Sequence, residues 1–500
     1  MTEPKTAETG SLRAFLGRRQ HPFKILGYTS KTLWLLAIPI VKNIAVYRFD
    51  IRGWISSYWP DIIMILSMLG FAVFRWLFVF YRIEEDGITA HFGPFGIMRK
   101  KVYFSEITSF STVQGYVYRL VNACVMYIET NANSVPKTDL KLVLSEKSVD
   151  KIYSAVTAVS EGEVRYSVSP KKSEMLIFSL IFSSTVSGIL LFAAFTYELY
   201  RLVGQELETQ LFERVNGKIT ELDQKYLGIS RIVPDSILLL GGLIAGGWLL
   251  SFVSNLMAHW NFTVTRRGGQ LIMTSGLITR RRSVLSRDKI NYLDIRQTLL
   301  MKLRHISSVH VCCTGYGVHR GQSSALIPIT TNYEMTASLR LIVPDHGRHH
   351  VGLRTGKKDT ARFIVMPVLC CFVPVAAGSI LKILLDRWHS EINILMLVST
   401  LPLMWLVAVK AMASRLTSVG MTGDTCTLCY CRGFEYHKVI INTRNITKTE
   451  VTQSFIQKFG GTCTLKIYTD SERRKVHKIS KLNYGELMAL GWEQLKVPEV

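Results

Sequence analysis

A cluster of cysteines near the end of the chain has the residue types and spacing of half a zinc site. Cys426, Cys429 and Cys431 lie close together, and Cys463 with His437 could complete a ligand set. Structural zinc sites commonly use C-x₂-C pairs, yet this chain offers no second pair of that spacing. Strand alternation would also place Cys429 and Cys431 on one face and Cys426 on the other. We therefore predict buried thiols and no metal here.

Two further segments resemble ligand-binding motifs only in part. The glycine-rich segment 315–321 lacks the Gly-Lys-Ser/Thr ending of a phosphate loop, so we interpret it as a hairpin loop. His346, His349 and His350 lie in the linker 344–362 and are interpreted as solvated. The sequence has no recognisable Ser/His/Asp order and no paired carboxylates at a plausible site. We predict that the protein is not an enzyme and uses no cofactor.

Basic residues form the densest candidate binding surface. Near a membrane, each basic residue adds about 1 kcal/mol of attraction to anionic lipid. The alternatives are a solvated face or a charge bias that only orients the protein in the membrane. The candidate headgroup ligands are Arg266, Arg267, Arg280, Arg281, Arg282 and Arg287, with Arg99, Lys100 and Lys101 as a second group.

Composition places these residues in a membrane protein. The 500 residues are 48% hydrophobic, with 60 Lys and Arg against 37 Asp and Glu and a net charge of +23. This balance excludes an acidic disordered chain, and nine cysteines are too few for a disulfide-rich secreted scaffold. Strongly apolar segments alternate with basic ones, which is typical of a multi-span membrane protein with folded domains outside the lipid.

Six segments approach the roughly 20 apolar residues that a helix needs to cross a bilayer. They fall into three pairs, and the first is the weakest because Lys42 interrupts it. Most Lys and Arg residues lie on one side of this arrangement, so both termini and the folded domains are predicted to be cytoplasmic. The predicted spans are 26–47, 62–81, 175–197, 232–257, 363–385 and 392–413.

A block with strand-like alternation and a helix-like tail follows each pair of spans. Three anchors recur in each block: a glycine, an isoleucine 14, 14 or 13 residues later, and an apolar residue 13 residues after that. We interpret this as three copies of one unit, each with a small β barrel or sandwich and a C-terminal helix. The anchors are Gly93, Ile107 and Leu120; Gly276, Ile290 and Leu303; and Gly433, Ile446 and Phe459.

These patterns resemble a known family. Arg19-Gln-His-Pro22, the run from Gly93 to Lys101, Gly276-Leu-Ile-Thr-Arg-Arg-Arg282 and Asp288-Lys-Ile290 are similar to the bacterial pleckstrin-homology-like (PH-like) domain. Over residues 18–495 the chain resembles YdbT-type membrane proteins, although the third block replaces the basic run with Gly433-Phe-Glu-Tyr-His437. The resemblance implies a PH-like fold, a role at the bacterial cell membrane in envelope maintenance or defence against membrane-active agents, and a smaller PH-like partner.

The predicted fold class is a six-span α-helical membrane protein with three cytoplasmic, β-rich PH-like domains. We expect a non-enzymatic scaffold that contacts the bilayer, anionic headgroups and a protein partner, but no nucleic acid. Gly242 and Gly246 are candidates for close helix packing. The alternative is a transporter or lipid-handling protein with a cavity between span pairs. The predicted boundaries are a basic N-terminus at 1–25, span pairs at 26–81, 175–257 (with an external acidic loop, 198–231) and 363–413, PH-like domains at 82–165, 259–343 and 414–495, and the linker 344–362.

Overall fold

The computed structural model describes much of the chain, and it divides into two compact units. The first unit comprises Met1–Ser167, Val264–Lys289 and Cys313–Ser323. The second comprises Val168–Thr263, Ile290–Cys312 and Ser324–Val500. The residues described are 18–29, 59–93, 98–130, 139–158, 164–182, 217, 235–313, 325–344, 352–356, 360–385, 388–469 and 476–489.

The first unit contains a four-stranded antiparallel sheet with the order β1-β2-β3-β4. Its shortest strand precedes the first two described helices and pairs with the strand that follows them, Arg18 opposite Tyr81 and Arg19 opposite Phe80. This pairing holds together the two ends of the helical segment. The elements are β1 (Arg18–Arg19), α1 (Lys24–Thr29), α2 (Trp59–Leu77), β2 (Phe80–Ile83), β3 (Gly87–Phe92) and β4 (Met98–Tyr103).

A seven-stranded sheet follows, with the order β7-β6-β5-β11-β10-β9-β8. Its central pair joins β5 to β11, with Phe110 opposite Val284 and Thr112 opposite Arg282. Phe110, Met126 and Ile152 are fully buried in a core that also includes side chains of the four-stranded sheet. The elements are β5 (Ile107–Gln114), α3 (Tyr116–Leu120), β6 (Ala123–Thr130), β7 (Leu140–Ser145), α4 (Glu146–Ala158), β8 (Val164–Val168), β9 (Thr263–Arg267), β10 (Gln270–Ser275) and β11 (Arg280–Ser286).

The second unit has a second seven-stranded sheet, ordered β14-β13-β12-β18-β17-β16-β15, and a three-stranded sheet, β19-β20-β21. Leu428, Val439, Leu465 and Ile479 are fully buried in the core that both sheets share. The strands are β12 (Ile290–Thr298), β13 (Ile306–Cys313), β14 (Ala325–Thr331), β15 (Leu353–Arg354), β16 (Ser418–Thr422), β17 (Thr425–Arg432), β18 (Glu435–Asn442), β19 (Ile446–Thr452), β20 (Thr462–Thr469) and β21 (Val476–Asn483).

The helices of the second unit include two long apolar ones that run antiparallel as a hairpin. Within it, a Cβ atom added to Gly378 would lie 2.2 Å from the Met396 Cγ, so the two helices approach closely there. The helices are α5 (Lys172–Phe182), α6 (Asp235–His259), α7 (Leu299–Leu303), α8 (Asn332–Ile342), α9 (Thr360–Leu384), α10 (His389–Leu416), α11 (Phe455–Phe459) and α12 (Tyr484–Ala489).

The predicted set of six spans is reduced to two in the part of the chain that the structure describes. Thr360–Leu384 and Ile392–Leu416 are long and apolar enough to cross a bilayer. In α2, the apolar stretch among the described side chains is Leu66–Leu77, and the chain enters strand β2 at Phe80. Of the span predicted at 175–197, the structure describes only the part up to Phe182. Most of the first predicted span and almost all of the acidic loop 198–231 lie outside the described residues.

The β-rich character predicted for the blocks is confirmed, but their sheets extend further than expected. Gly93, Gly276 and Gly433 have φ values of 87°, 99° and 58°, so each turn uses the backbone freedom of glycine. The expectation of a separate barrel or sandwich in each block is wrong in one respect. Strand β5 pairs with β11, and β12 pairs with β18, so each seven-stranded sheet combines two successive blocks.

Candidate membrane interface

A strand pair fixes the point where α9 and α10 join the folded part of the second unit. Leu353 of β15 lies opposite Val419 of β16, immediately before α9 and after α10. The Thr355 hydroxyl donates a hydrogen bond to the Ser414 carbonyl oxygen, and the hydroxyls of Thr360 and Ser414 are 3.1 Å apart. The two ends of the helical hairpin are therefore held side by side by backbone and side-chain bonds.

The base of this hairpin packs on the sheet that carries β17 and β18. Val409 and Ala413 of α10 are fully buried against Tyr436, whose hydroxyl donates to the Val409 carbonyl oxygen at 3.0 Å. Val409 lies about 10 Å before the end of α10 at a rise of about 1.5 Å per residue. Since Tyr436 reaches that level, the β17–β18 turn lies beside the helix and not beyond its end.

Basic side chains surround the first turn of α9. The Lys481 ammonium donates to the Arg362 carbonyl oxygen, and its Nζ lies 4.1 Å from the centre of the Phe363 ring. A Cβ atom at Gly460 would lie 2.8 Å from Arg362 Nη2, so the chain immediately after α11 lies against the Arg362 side chain. Two cations next to an apolar helix end match the usual arrangement at a membrane–water boundary.

A buried ionic cluster crosslinks the strands from two different blocks. Asp294 on β12 and His437 on β18 are only 2% and 3% exposed, and His437 Nδ1 lies 2.9 Å from Asp294 Oδ1. The Arg296 Nε donates to Asp294 Oδ2 at 2.7 Å. Burial raises the pKa of Asp294, but the hydrogen bond and charge of His437, together with Arg296, outweigh it and hold this pKa well below its usual range. The carboxylate is therefore ionised and accepts a hydrogen bond from His437 Nδ1–H.

An aromatic layer continues this cluster into the core. The Tyr430 ring stacks on His437 with centres 5.3 Å apart and planes 21° apart. The Tyr430 hydroxyl lies 2.9 Å from His477 Nδ1, and the edge of His477 meets Tyr292. These polar atoms are enclosed by rings, so the cluster has the character of a structural crosslink between β12, β17, β18 and β21.

The arginine run predicted to bind headgroups is divided between the two faces of strand β11. Arg282 lies on the face of Val284, where its Cζ is 3.3 Å from the centre of the Tyr153 ring and its Nη1 is 3.6 Å from Asp150 Oδ1. Arg281 points to the other face, and Arg280 is exposed at the start of the strand. The three residues therefore do not form one surface.

The remaining basic candidates lie on other strands of the first unit. Arg266 and Arg267 are half-buried near the end of β9, and Arg287 follows β11 with its Nε 3.9 Å from an Asp288 oxygen. Arg99 and Lys100 are exposed on β4, an outer strand of its sheet. Lysines on such a strand also discourage pairing with another chain.

Lys101, the last of these candidates, is engaged within its own sheet. Its Nζ lies 2.9 Å from Glu84 Oε2 and 2.9 Å from Asp86 Oδ2. These two carboxylates raise the pKa of the Lys101 ammonium, so it stays charged. Because Glu84 and Asp86 already balance this charge, Lys101 attracts an anionic headgroup less strongly than an unpaired lysine would.

The predicted helix-packing glycines lie on α6. A Cβ atom at Gly246 would meet no heavy atom within 4 Å among the residues that the structure describes. The surroundings of Gly242 lie outside the described side chains. The close approach found here is the one at Gly378, a residue that the sequence analysis did not single out. A signal was present in the sequence, because Gly378 lies in a run of small residues, Ala376-Ala377-Gly378-Ser379, inside an apolar helix.

The cysteines divide as strand alternation predicts. Cys426 is fully buried in the core with Leu428, whereas Cys431 lies on the opposite face with its Sγ 3.5 Å from Lys410 Nζ. Burial raises the pKa of the Cys426 thiol to about 12, so this sulfur is protonated and unreactive. His437, considered as a fifth ligand, binds Asp294 instead. The segments 315–321 and 345–350, with their glycines and histidines, lie outside the described residues.

Comparison with known proteins supports a PH-like membrane protein. Residues 36–159 and 225–336, somewhat less than half of the chain, match the bacterial PH domain family. The chain is also similar to the UPF0699 transmembrane protein YdbT of Bacillus subtilis (strain 168), with 19% identity over 378 residues. That alignment covers 70% of this chain and 74% of YdbT. No solved structure matches the chain. Together with the two apolar helices, the similarity supports a location in a membrane.

The Arg19–Pro22 motif, which carries part of this resemblance, has a structural role. Gln20 is buried; its carbonyl oxygen accepts from Trp76 Nε1 at 2.9 Å and its side-chain oxygen accepts from the Val143 amide at 3.3 Å. The motif therefore ties the end of α2 to strand β7.

Proposed function

We propose that the protein is a non-enzymatic membrane scaffold whose PH-like domains form continuous sheets beside the bilayer. The observation that carries the proposal is the pairing of β5 with β11 and of β12 with β18. Each pairing builds strands from two successive blocks into one seven-stranded sheet. A chain joined in this way is suited to holding its domains in fixed positions, which is the property a scaffold needs.

The buried polar groups favour a structural role over catalysis. Asp294 and His437 are the most acid–base-like pair in the described residues, but both are buried and held by Arg296 and Tyr430. A general base must come within hydrogen-bond reach of its substrate. A pair enclosed by aromatic rings is poorly placed for that, which supports a non-enzymatic protein.

We further propose three copies of a two-span-plus-domain unit, with six spans and both termini in the cytoplasm. Three times along the chain, the strand before a helical segment pairs with the strand after it, as β1 and β2, β8 and β9, and β15 and β16 do. This succession supports the triplication. The excess of Lys and Arg on the domain side supports the orientation.

By resemblance to the YdbT type, the scaffold would act in envelope maintenance or in defence against membrane-active agents, together with a smaller PH-like membrane protein. The second candidate is a transporter or lipid-handling protein. Pro367 and Pro374 inside α9 and Pro402 inside α10 favour it, because a proline removes a backbone hydrogen bond from a helix, and transport sites often lie where a helix can break.

Purification of the full chain from native membranes in mild detergent separates the two candidates. Mass spectrometry of what co-purifies should find a small membrane protein in stoichiometric amount if the chain is a scaffold. The Asp288→Asn variant, altered at an exposed carboxylate, is the matched control and should retain the partner. A chain that arrives alone with one specific lipid or solute would contradict the scaffold and favour the transporter.

A further inference from the structure

Two short helices and one turn of the second unit expose large apolar side chains next to the base of the α9–α10 hairpin. In α11, Phe455, Ile456 and Phe459 are 78%, 83% and 81% exposed. In α7, Leu300 and Leu303 are exposed, and so is Phe434 in the β17–β18 turn. Soluble surfaces rarely present such a concentration of apolar area without a binding partner.

The contacts of these elements place them beside the hairpin. Leu299 of α7 packs in the same cluster as Val409, Ala413 and Phe363, at the base of both long helices. The chain after α11 lies against Arg362 through Gly460. Tyr436, two residues after Phe434, bonds to Val409. All three elements are therefore continuous with the end of the proposed membrane-spanning pair.

The charges around these apolar tips are those that an anionic membrane surface attracts. The sequences of α7 and α11, Leu-Leu-Met-Lys-Leu and Phe-Ile-Gln-Lys-Phe, contain one lysine each and no acidic residue. Lys458 and Arg304 are exposed. A short amphipathic segment with aromatic and aliphatic side chains and flanking lysines is typical of elements that lie in the boundary between headgroups and acyl chains.

We propose that α7, α11 and the β17–β18 turn insert their apolar side chains into the lipid leaflet around α9 and α10. These elements would fix the height and tilt of the third block against the membrane, which a pair of spans alone leaves free. The inference rests on the proposed membrane-spanning role of α9 and α10. It adds an apolar membrane-docking surface that is separate from the basic clusters of the first unit.

The test is photolabelling of the full chain in nanodiscs that contain a phospholipid with a diazirine near the carbonyl end of its acyl chain. Mapping by mass spectrometry should find label on Phe455–Phe459 and on the Leu300–Leu303 stretch. Met421 is the matched control, because it is 45% exposed in the same unit but lies at the opposite end of β17 from Phe434. It should remain unlabelled.

Two outcomes separate this inference from the proposed function. Label on α9 with none on α11 or α7 overturns the inference and leaves the spans in the bilayer, whereas no label on α9 overturns both. A protein cross-linked to Phe455–Phe459 in native membranes, without lipid label, also overturns it. The Ile456→Ser and Phe459→Ser variants should lose the label at α11 while α9 keeps it, and Met421→Ser should change neither.

Discussion

His437 Nδ1 and Asp294 Oδ1 lie 2.9 Å apart, although 143 residues separate them in the chain. The bond joins β12, which belongs to the middle block, to β18, which belongs to the third block. It lies at the centre of a buried sheet, where a charge without its partner is costly. The junction between blocks is therefore ionic as well as hydrogen-bonded through the backbone.

Removing the carboxylate should weaken this junction strongly. Asp294→Ala leaves His437 and Arg296 without their buried partner, and breaking a buried pair in this way costs about 3–5 kcal/mol. Thermal unfolding of the full chain in detergent should show a clearly lower midpoint. Asp288→Asn, at an exposed carboxylate, should leave the midpoint nearly unchanged. Equal behaviour of the two variants would contradict a structural role for the cluster.

The same carboxylate predicts acid sensitivity of a definite sign. The pKa of Asp294 is lowered in the folded protein, whereas an unfolded aspartate titrates near about 3.9. The unfolded chain then binds more protons in acid, so the stabilisation is fully present above about pH 5 and declines as the pH falls below about 4. Unfolding midpoints measured from neutral pH downward should converge for the natural chain and Asp294→Asn. Parallel curves would refute this linkage.

The helical hairpin should depend on Gly378 and not on Gly246. Gly378→Leu forces a side chain into the Met396 Cγ and Sδ, and overpacking of this kind costs about 1–3 kcal/mol. Gly246→Leu enters open space in the described part of the chain and should leave the unfolding midpoint unchanged. If Gly246→Leu and Gly242→Leu instead reduce the oligomer size in detergent, the predicted packing at α6 involves another chain.

Arg280 and Arg282 should differ in what their removal affects. Arg282 packs on Tyr153, and the loss of this contact in Arg282→Ala should cost about 0.5–2 kcal/mol of stability. Arg280 is exposed, so Arg280→Ala should retain stability and instead reduce the amount of anionic lipid that native mass spectrometry detects on the chain. These roles would be reversed if Arg280→Ala lowered the stability. They would also be reversed if Arg282→Ala reduced the bound lipid without lowering the stability.

Local pattern was sufficient to predict many elements of this fold. Strand-like alternation predicted the β-rich blocks after the span pairs, because side-chain facing in a strand depends only on neighbouring residues. The same alternation placed Cys426 and Cys431 on opposite faces, as the structure shows. The anchors also correspond to equivalent positions in the three blocks. Each glycine anchor lies between two strands, and each isoleucine anchor is the first residue of the next strand.

Contacts between distant segments could not be predicted in this way. Nothing in the sequence of β11 indicates that its free edge pairs with β5, since backbone hydrogen bonds carry no residue code. The basic run of Arg280–Arg282 suggested one surface, but the pleat of the strand divides it between two faces. The Asp294–His437 pair was missed because an aspartate and a histidine 143 residues apart have no mutual signal in one sequence.

Because paired strands of one sheet lie far apart in the chain, the ribosome synthesises them at different times. Ser111 of β5 bonds to Ser283 of β11, which follows 172 residues later. A ribosome that adds about 5–20 residues each second needs roughly 10–30 s to reach that partner. During this interval the edge of β5 that will pair with β11 is exposed. Exposed edges of this kind can pair with strands of other chains. The nascent protein therefore passes through a stage in which a chaperone or the membrane insertion machinery would have to cover that edge.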